Sequence, residues 1–263
     1  MIIVFNAIVL VAAVGFICAV LLAVASKVMA VQVDERQSEL RACLPGANCG
    51  ACGYSGCDAY AAAVISGKAA SNLCLPGGND LVGRINEIMG LSSEGIVVKK
   101  TAVVHCIGSA DKKSLKMEYS GILSCRAASL HYGGQNACAF GCAGLGDCQR
   151  VCPSEAICIE KSLAHIDSRN CIGCGLCVKT CPYGLIFVQN TPVKVAVMCK
   201  NTEKGAQLKG KCKVGCIACM KCEKECPNSA ITVTDFLARI DYTKCVGCLK
   251  CVDICVKKCI SSF

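Results

Sequence analysis

The sequence predicts an α+β protein made of one apolar N-terminal helix, a small helical domain and two copies of a short cysteine-rich α+β module. Three observations carry that prediction. The first 25 residues are almost wholly apolar, 28 of the 263 residues are cysteine, and eight cysteines of the C-terminal half recur at an offset of 74 residues. There is no Trp, and Phe and Tyr number only six each, so the chain lacks material for an aromatic-rich core. Covalent or coordinative cross-links must replace part of that core. The composition excludes disorder, and it offers no basis for a hydrolase run by acid–base residues.

Ile2 to Ala25 form a 24-residue run in which only Asn6 and Gly15 are not apolar, and the first charge is Lys27. As a helix this run is about 36 Å long, enough to cross a bilayer. Ala23-Val24-Ala25 also reads as a small-residue cleavage site, but no basic n-region precedes it and the run exceeds the apolar stretch of a signal peptide. The expectation is a transmembrane anchor over 1–26 and a linker over 27–42. Lys27, Arg36 and Arg41 follow the span and nothing basic precedes it, which places the rest on the cytoplasmic side of the cell membrane. A reducing compartment argues against disulfides.

The most specific spacing lies in the C-terminal half. Cys171-x2-Cys174-x2-Cys177-x3-Cys181-Pro182 is the run of two-cluster bacterial ferredoxins, in which three cysteines bind one [4Fe-4S] cube and the fourth reaches the other. A zinc ribbon needs two separated C-x2-C knuckles instead. Shifted by 74 residues, Cys138, Cys142, Cys148, Cys152, Cys171, Cys174, Cys177 and Cys181 fall on Cys212, Cys216, Cys222, Cys226, Cys245, Cys248, Cys251 and Cys255. Such a match is an internal duplication. Two ferredoxin-like modules are therefore expected at 137–190 and 211–263, with short strands such as Ala164–Asp167 and Ala238–Asp241 leading into each second half-motif. Segments 95–136 and 191–210 read as insertions without a place.

Crossed ligation gives four expected sets: Cys138, Cys142, Cys148 with Cys181; Cys171, Cys174, Cys177 with Cys152; Cys216, Cys219, Cys222 with Cys255; and Cys245, Cys248, Cys251 with Cys226. Leu145 stands where the second copy has Cys219. Repeat logic would make Cys212 a ligand and Cys219 spare; standard spacing makes Cys216-x2-Cys219-x2-Cys222-x3-Cys226-Pro227 complete, and that reading is followed. Val256 after Cys255, where a proline is expected, makes the last ligand the least regular.

A third group reads Asn48-Cys49-Gly50-Ala51-Cys52-Gly53-Tyr54-Ser55-Gly56-Cys57, with Cys74 sixteen residues beyond. Its glycines let backbone amides approach cluster sulfurs, and 58–67 reads as a short Ala-rich helix. Zinc also suits four thiolates, but beside ferredoxin motifs a fifth [4Fe-4S] cluster is the expectation, in a domain over 43–94.

The apolar helix, the Cys49/Cys52/Cys57/Cys74 group and the ferredoxin modules together resemble the B subunit of the Rnf complex, the membrane-bound ion-translocating ferredoxin:NAD oxidoreductase, in the longer form associated with anaerobes. The resemblance implies a protein that takes electrons from soluble reduced ferredoxin and passes them to other subunits, which hold the flavins and NAD and translocate Na⁺ or H⁺. On that reading electrons enter a ferredoxin module and leave through the Cys49/Cys52/Cys57/Cys74 cluster beside the membrane. A membrane-anchored polyferredoxin component of another anaerobic oxidoreductase is the alternative, and a zinc-rich nucleic-acid-binding protein is the non-redox one.

Five sites leave Cys18, Cys43, Cys106, Cys125, Cys158, Cys199, Cys212 and Cys259 over. Cys106, Cys125, Cys199 and Cys212 border the inserted segments, and Cys125 and Cys199 are themselves 74 apart; they are the candidates for a sixth cluster, against a reading as packed thiols. The net charge of +9 invites a nucleic-acid reading, yet each oxidised cube with its thiolates brings about −2, and five bring the total to about −1. What remains are patches at Lys99, Lys100, Lys112, Lys113 and Lys116 and at Lys209, Lys211, Lys213, Lys221 and Lys224, suited to an acidic ferredoxin. No dinucleotide fingerprint is present, and His105, His131 and His165 read as surface or capping residues.

Overall fold

Local sequence signals account for the helices of the first part of the chain. The computed structural model describes residues 2–28, 34–92, 97–190 and 194–263; the expected linker over 27–42 and the boundaries near 94 and 191 lie partly outside them. Helix α1 (Ile2–Val28) has no acidic first turn and no polar face, and Lys27 is the basic residue of its last turn. Its described side chains face outward, Phe16 at 72% and Leu22 at 71% exposure. Among the described residues no helix is long and apolar enough to cross a membrane; in α1 the unbroken run of described side chains is 12–27.

Three further helices make a small domain. Asp34 caps α2 (Glu35–Cys43) by accepting the Arg36 N–H at 3.0 Å, as short acceptors do at helix starts. Helix α3 (Cys57–Ile65) and α4 (Gly78–Met89) pack on it, and Gly90, at φ +64, ends α4 in a left-handed turn. Leu40, Tyr60, Ala61 and Ile85 form the closed centre, and the Tyr60 hydroxyl donates to the Ala70 carbonyl at 2.8 Å.

Each of the two cysteine-rich modules is a pair of two-stranded antiparallel sheets with two short helices. In the first, β1 (Lys100–Val104) pairs with β4 (Ile186–Asn190), and β2 (Ile157–Glu160) with β3 (Leu163–Ile166). In the second, β5 (Val195–Val197) pairs with β8 (Ile260–Ser262), and β6 (Ile231–Thr234) with β7 (Leu237–Ile240). The hairpins turn on Lys161-Ser162 and Asp235-Phe236, all four at positive φ, the tight turn whose twist matches the strands. The segments left unplaced by sequence supply β1 and β5, which close the modules. Between β1 and the first half-motif the chain also forms α5 (Cys125–Leu130), capped by Ser124.

The modules join along β1 and β5, where Val103 packs on Ala196 and Met198. Backbone bonds tie the segments that precede the first half-motifs: Ser114 N–H donates to the Lys211 carbonyl at 3.0 Å and Lys213 N–H to that of Lys112 at 2.9 Å. Lys113, read from sequence as part of a basic patch, is instead 8% exposed at this junction, its ammonium donating to the Cys142 and Ser162 carbonyls. His105 is likewise not a surface residue: it packs edge-on against Phe187, ring centroids 4.9 Å apart, and burial pushes its pKa down.

Candidate metal centres

In all four half-motifs a short helix starts from a residue in the left-handed region. Gly146 precedes α6 (Asp147–Arg150), Gly175 precedes α7 (Leu176–Thr180) and, after α8 (Gly205–Leu208), Met220 precedes α9 (Lys221–Lys224) and Leu249 precedes α10 (Lys250–Asp253). The reversal folds the preceding loop back toward the helix and the cysteine it carries. At Gly144, φ +73, a Cβ would lie 2.4 Å from the Ser162 backbone, and at Gly173, φ +67, it would lie 2.6 Å from the Lys100 carbonyl oxygen. Both loops therefore sit on their strands at a distance only glycine permits.

In the second module Cys216, Cys219, Cys222, Cys255 and Cys259 line one cavity of about 20 Å³, and Cys226, Cys245, Cys248 and Cys251 line another of about 20 Å³. In the first, a cavity of about 20 Å³ is lined by Cys125, Cys142, Cys148 and Cys181. Cys138, expected with the last three, lines a different cavity with Cys106, Cys199 and Cys212. Around Cys177, burial and then Cys174, Cys171 and Cys152 push the thiol up to about 12, so those four lie together. Burial raises Cys74, and Cys57, Cys52 and Cys49 add to it. Among the described residues no three His, Cys, Asp or Glu converge on the position of a single metal ion; the thiols ring volumes instead, the arrangement a four-iron cube needs.

Backbone amides dress the sulfurs. Leu185 N–H points at Cys181 Sγ at 3.5 Å and Ala230 N–H at Cys226 Sγ at 3.2 Å, the same four-residue step in both modules, and Ala102 N–H reaches Cys171 Sγ at 3.4 Å. Such donors favour the more negative, reduced state of a cluster. Cys255 and Cys259 are distinguished by packing. Cys259, 2% exposed, follows Cys255 by four residues as Leu185, 1% exposed, follows Cys181, so it fills a core position. Its thiol lies 3.6 Å from Cys255 Sγ; a hydrogen bond from it is the main cause that lowers Cys255 to about 5 and Cys216 to about 6.

The sequence matches two family models, one described as "Putative Fe-S cluster" over residues 44–76 and one as "4Fe-4S binding domain" over residues 163–186. It is 42% identical to the B subunit of the Na(+)-translocating ferredoxin:NAD(+) oxidoreductase complex of Acetobacterium woodii, over 94% of this chain and 74% of that one. Identity is 37% to the B subunit of the ion-translocating oxidoreductase complex of Methanosarcina acetivorans, over 97% of both chains. The chain belongs to this family of B subunits. Its counterpart in the proton-translocating ferredoxin:NAD(+) oxidoreductase complex of Clostridium ljungdahlii, 38% identical over 94% of this chain and 86% of its own, falls in the same family. The resemblance drawn from Asn48–Cys57 and the ferredoxin runs is thereby established, and the first family model spans all four cysteines of the N-terminal group.

Proposed function

We propose that this chain is the iron–sulfur electron-transfer subunit of an Rnf-type ion-translocating ferredoxin:NAD oxidoreductase, taking electrons from reduced ferredoxin and relaying them to flavin-containing membrane subunits. The observation that carries the reading is the succession of cysteine-lined spaces at ferredoxin spacing in a chain so similar to the family's B subunits. Four ligand sets follow: Cys49, Cys52, Cys57 and Cys74; Cys152, Cys171, Cys174 and Cys177; Cys216, Cys219, Cys222 and Cys255; and Cys226, Cys245, Cys248 and Cys251. A fifth site holds Cys142, Cys148 and Cys181. When bound, a [4Fe-4S] cube at each site carries one electron and exchanges it with its neighbour by tunnelling.

On this reading the sites form a row. Cys49 acts electrostatically on Cys174, and Gly50 lies against Lys179 of α7, 3.7 Å from its ammonium to the position of a Cβ, so the N-terminal site adjoins the first module. We assign α1 to the membrane as an anchor, on its 27-residue length and lack of a polar face; the N-terminal site, next along the chain, then faces the membrane subunits. Electrons enter through a ferredoxin module, and the bulk of the chain lies on the cytoplasmic side. The coupled ion, Na⁺ or H⁺, is moved by the partner subunits.

The test is made in the assembled complex. Cys52→Ser with Cys57→Ser is expected to leave ferredoxin oxidation in the modules fast and to abolish reduction of the flavins. Flavin reduction at the wild-type rate would overturn the assigned exit.

A further inference from the structure

Cys106, Cys138, Cys199 and Cys212 line one cavity of about 20 Å³ at the junction of the two modules. That volume matches the cavities of about 20 Å³ at the sites of ferredoxin spacing. Its walls repeat in the manner of the duplication. Cys106 follows β1 by two residues and Cys199 follows β5 by two, while Cys138 and Cys212 are related by the 74-residue offset. Each module thus contributes one cysteine beyond its edge strand and one from the segment before its first half-motif.

The surroundings suit thiolates. Asn201, 1% exposed, donates from Nδ2 to Cys138 Sγ at 3.4 Å, and the Cys216 N–H donates to Cys199 Sγ at 3.4 Å. Gly108 leaves the cavity wall open: a Cβ there would stand 3.6 Å from Cys106 Sγ and 3.7 Å from Cys212 Sγ. Lys113 is buried within electrostatic reach of Cys142, Cys106, Cys212 and Cys138, and among the described residues it makes no ion pair with a carboxylate. A buried ammonium calls for a negative neighbour, and four thiolates around an oxidised cube supply about −2.

The partition of cysteines closes once this site is recognised. The first module has Leu145 where the second has Cys219, and α5 brings Cys125 to the space bounded by Cys142, Cys148 and Cys181. Asp147 fixes α5 there, accepting from Ser124 Oγ and from Arg126 N–H, both at 2.9 Å. Cys125 acts electrostatically on Cys148 alongside Cys142 and Cys181.

We propose that Cys106, Cys138, Cys199 and Cys212 bind a sixth [4Fe-4S] cluster that links the two ferredoxin modules, and that Cys125 completes the Cys142/Cys148/Cys181 site. This deepens the electron-transfer reading and rests on it. Each thiol gives up its proton on binding iron, and reduced ferredoxin supplies the electrons, one site being oxidised by one electron as its neighbour is reduced by one. Cys106 adjoins Cys142 of the first module and Cys199 adjoins Cys216 of the second, so the row of sites passes through the junction without a gap.

Iron and acid-labile sulfide are counted on the anaerobically purified full-length chain, with native mass spectrometry as an independent count. The wild type should hold about 24 iron atoms, four to a cube. Cys106→Ala with Cys138→Ala strikes one site and should leave about 20, whereas Cys106→Ala with Cys125→Ala strikes two and should leave about 16. The reverse pattern, or a wild type with about 20, overturns the proposal. Gly108→Leu, which keeps every thiol but fills the cavity, should also leave about 20 iron atoms; an unchanged count of about 24 would overturn it as well. A wild type without iron or sulfide is a different failure, that of the electron-transfer reading itself.

Discussion

Asn48 shows how one side chain sets a cysteine loop. At φ +44 it turns the chain, its Oδ1 accepts the Cys57 N–H at 2.8 Å, and the same oxygen lies 3.0 Å from where Gly56 would carry a Cβ. Asn48→Ala removes the acceptor from the first turn of α3 at a cost of about 0.5–1.5 kcal/mol. The N-terminal site should then lose iron to a chelator several times faster, with the other sites unaffected. Cys259→Ala tests the distinction between ligand and packed thiol. It should keep the iron count and lower the midpoint potential of the Cys216/Cys219/Cys222/Cys255 site, because a donor to the Cys255 sulfur is gone; loss of a whole cluster would make Cys259 a ligand. At this scale sequence spacing reaches the half-motifs, where ligands are near neighbours along the chain. It does not reach Cys125 or Cys138, whose surroundings depend on where a long insertion folds back.

Among the elements, strands β3 and β7 are legible in sequence, as the short runs that lead into each second half-motif. Strands β1 and β5 are not, since their partners lie far along the chain: Lys100 opposes Asn190 and Val195 opposes Ser262. Helix α2 buries only Leu40 and so gives little periodic signal. Helix α4 does carry one, with Leu81, Val82 and Ile85 buried and Gly90 after its end. Ile85→Ala should cost the N-terminal domain about 2–5 kcal/mol, read as earlier loss of its helical signal in urea. Deleting residues 2–26 should release the protein from washed membranes when partner subunits are absent; retention there would contradict the anchor. On α9, Lys221 and Lys224 are exposed beside Cys222. Lys221→Glu with Lys224→Glu should slow electron delivery from an acidic ferredoxin, most at low salt, where charge steers encounter. An unchanged rate would place the docking face elsewhere.

For the whole molecule, the formal charge of +9 describes a chain without its cofactors. Each cube with four thiolates changes the total by about −2, so filling five or six sites brings the protein near neutrality and leaves local patches to guide docking. Apolar burial in the modules is modest and lies around the cysteines themselves: Cys142, Cys148, Cys171 and Cys177 sit in the first module's core, and Cys216, Cys222 and Cys251 in the second's. The clusters are thus part of what holds each module closed, which ties stability to iron content. The most direct measurement is electron paramagnetic resonance of the anaerobically purified chain during stepwise reduction. Signals of reduced [4Fe-4S] cubes should appear and then broaden as reduction proceeds, because neighbouring spins in one row interact. A colourless preparation holding zinc, or reduced cubes whose signals stay sharp and independent to full reduction, would contradict a conducting row of cubes.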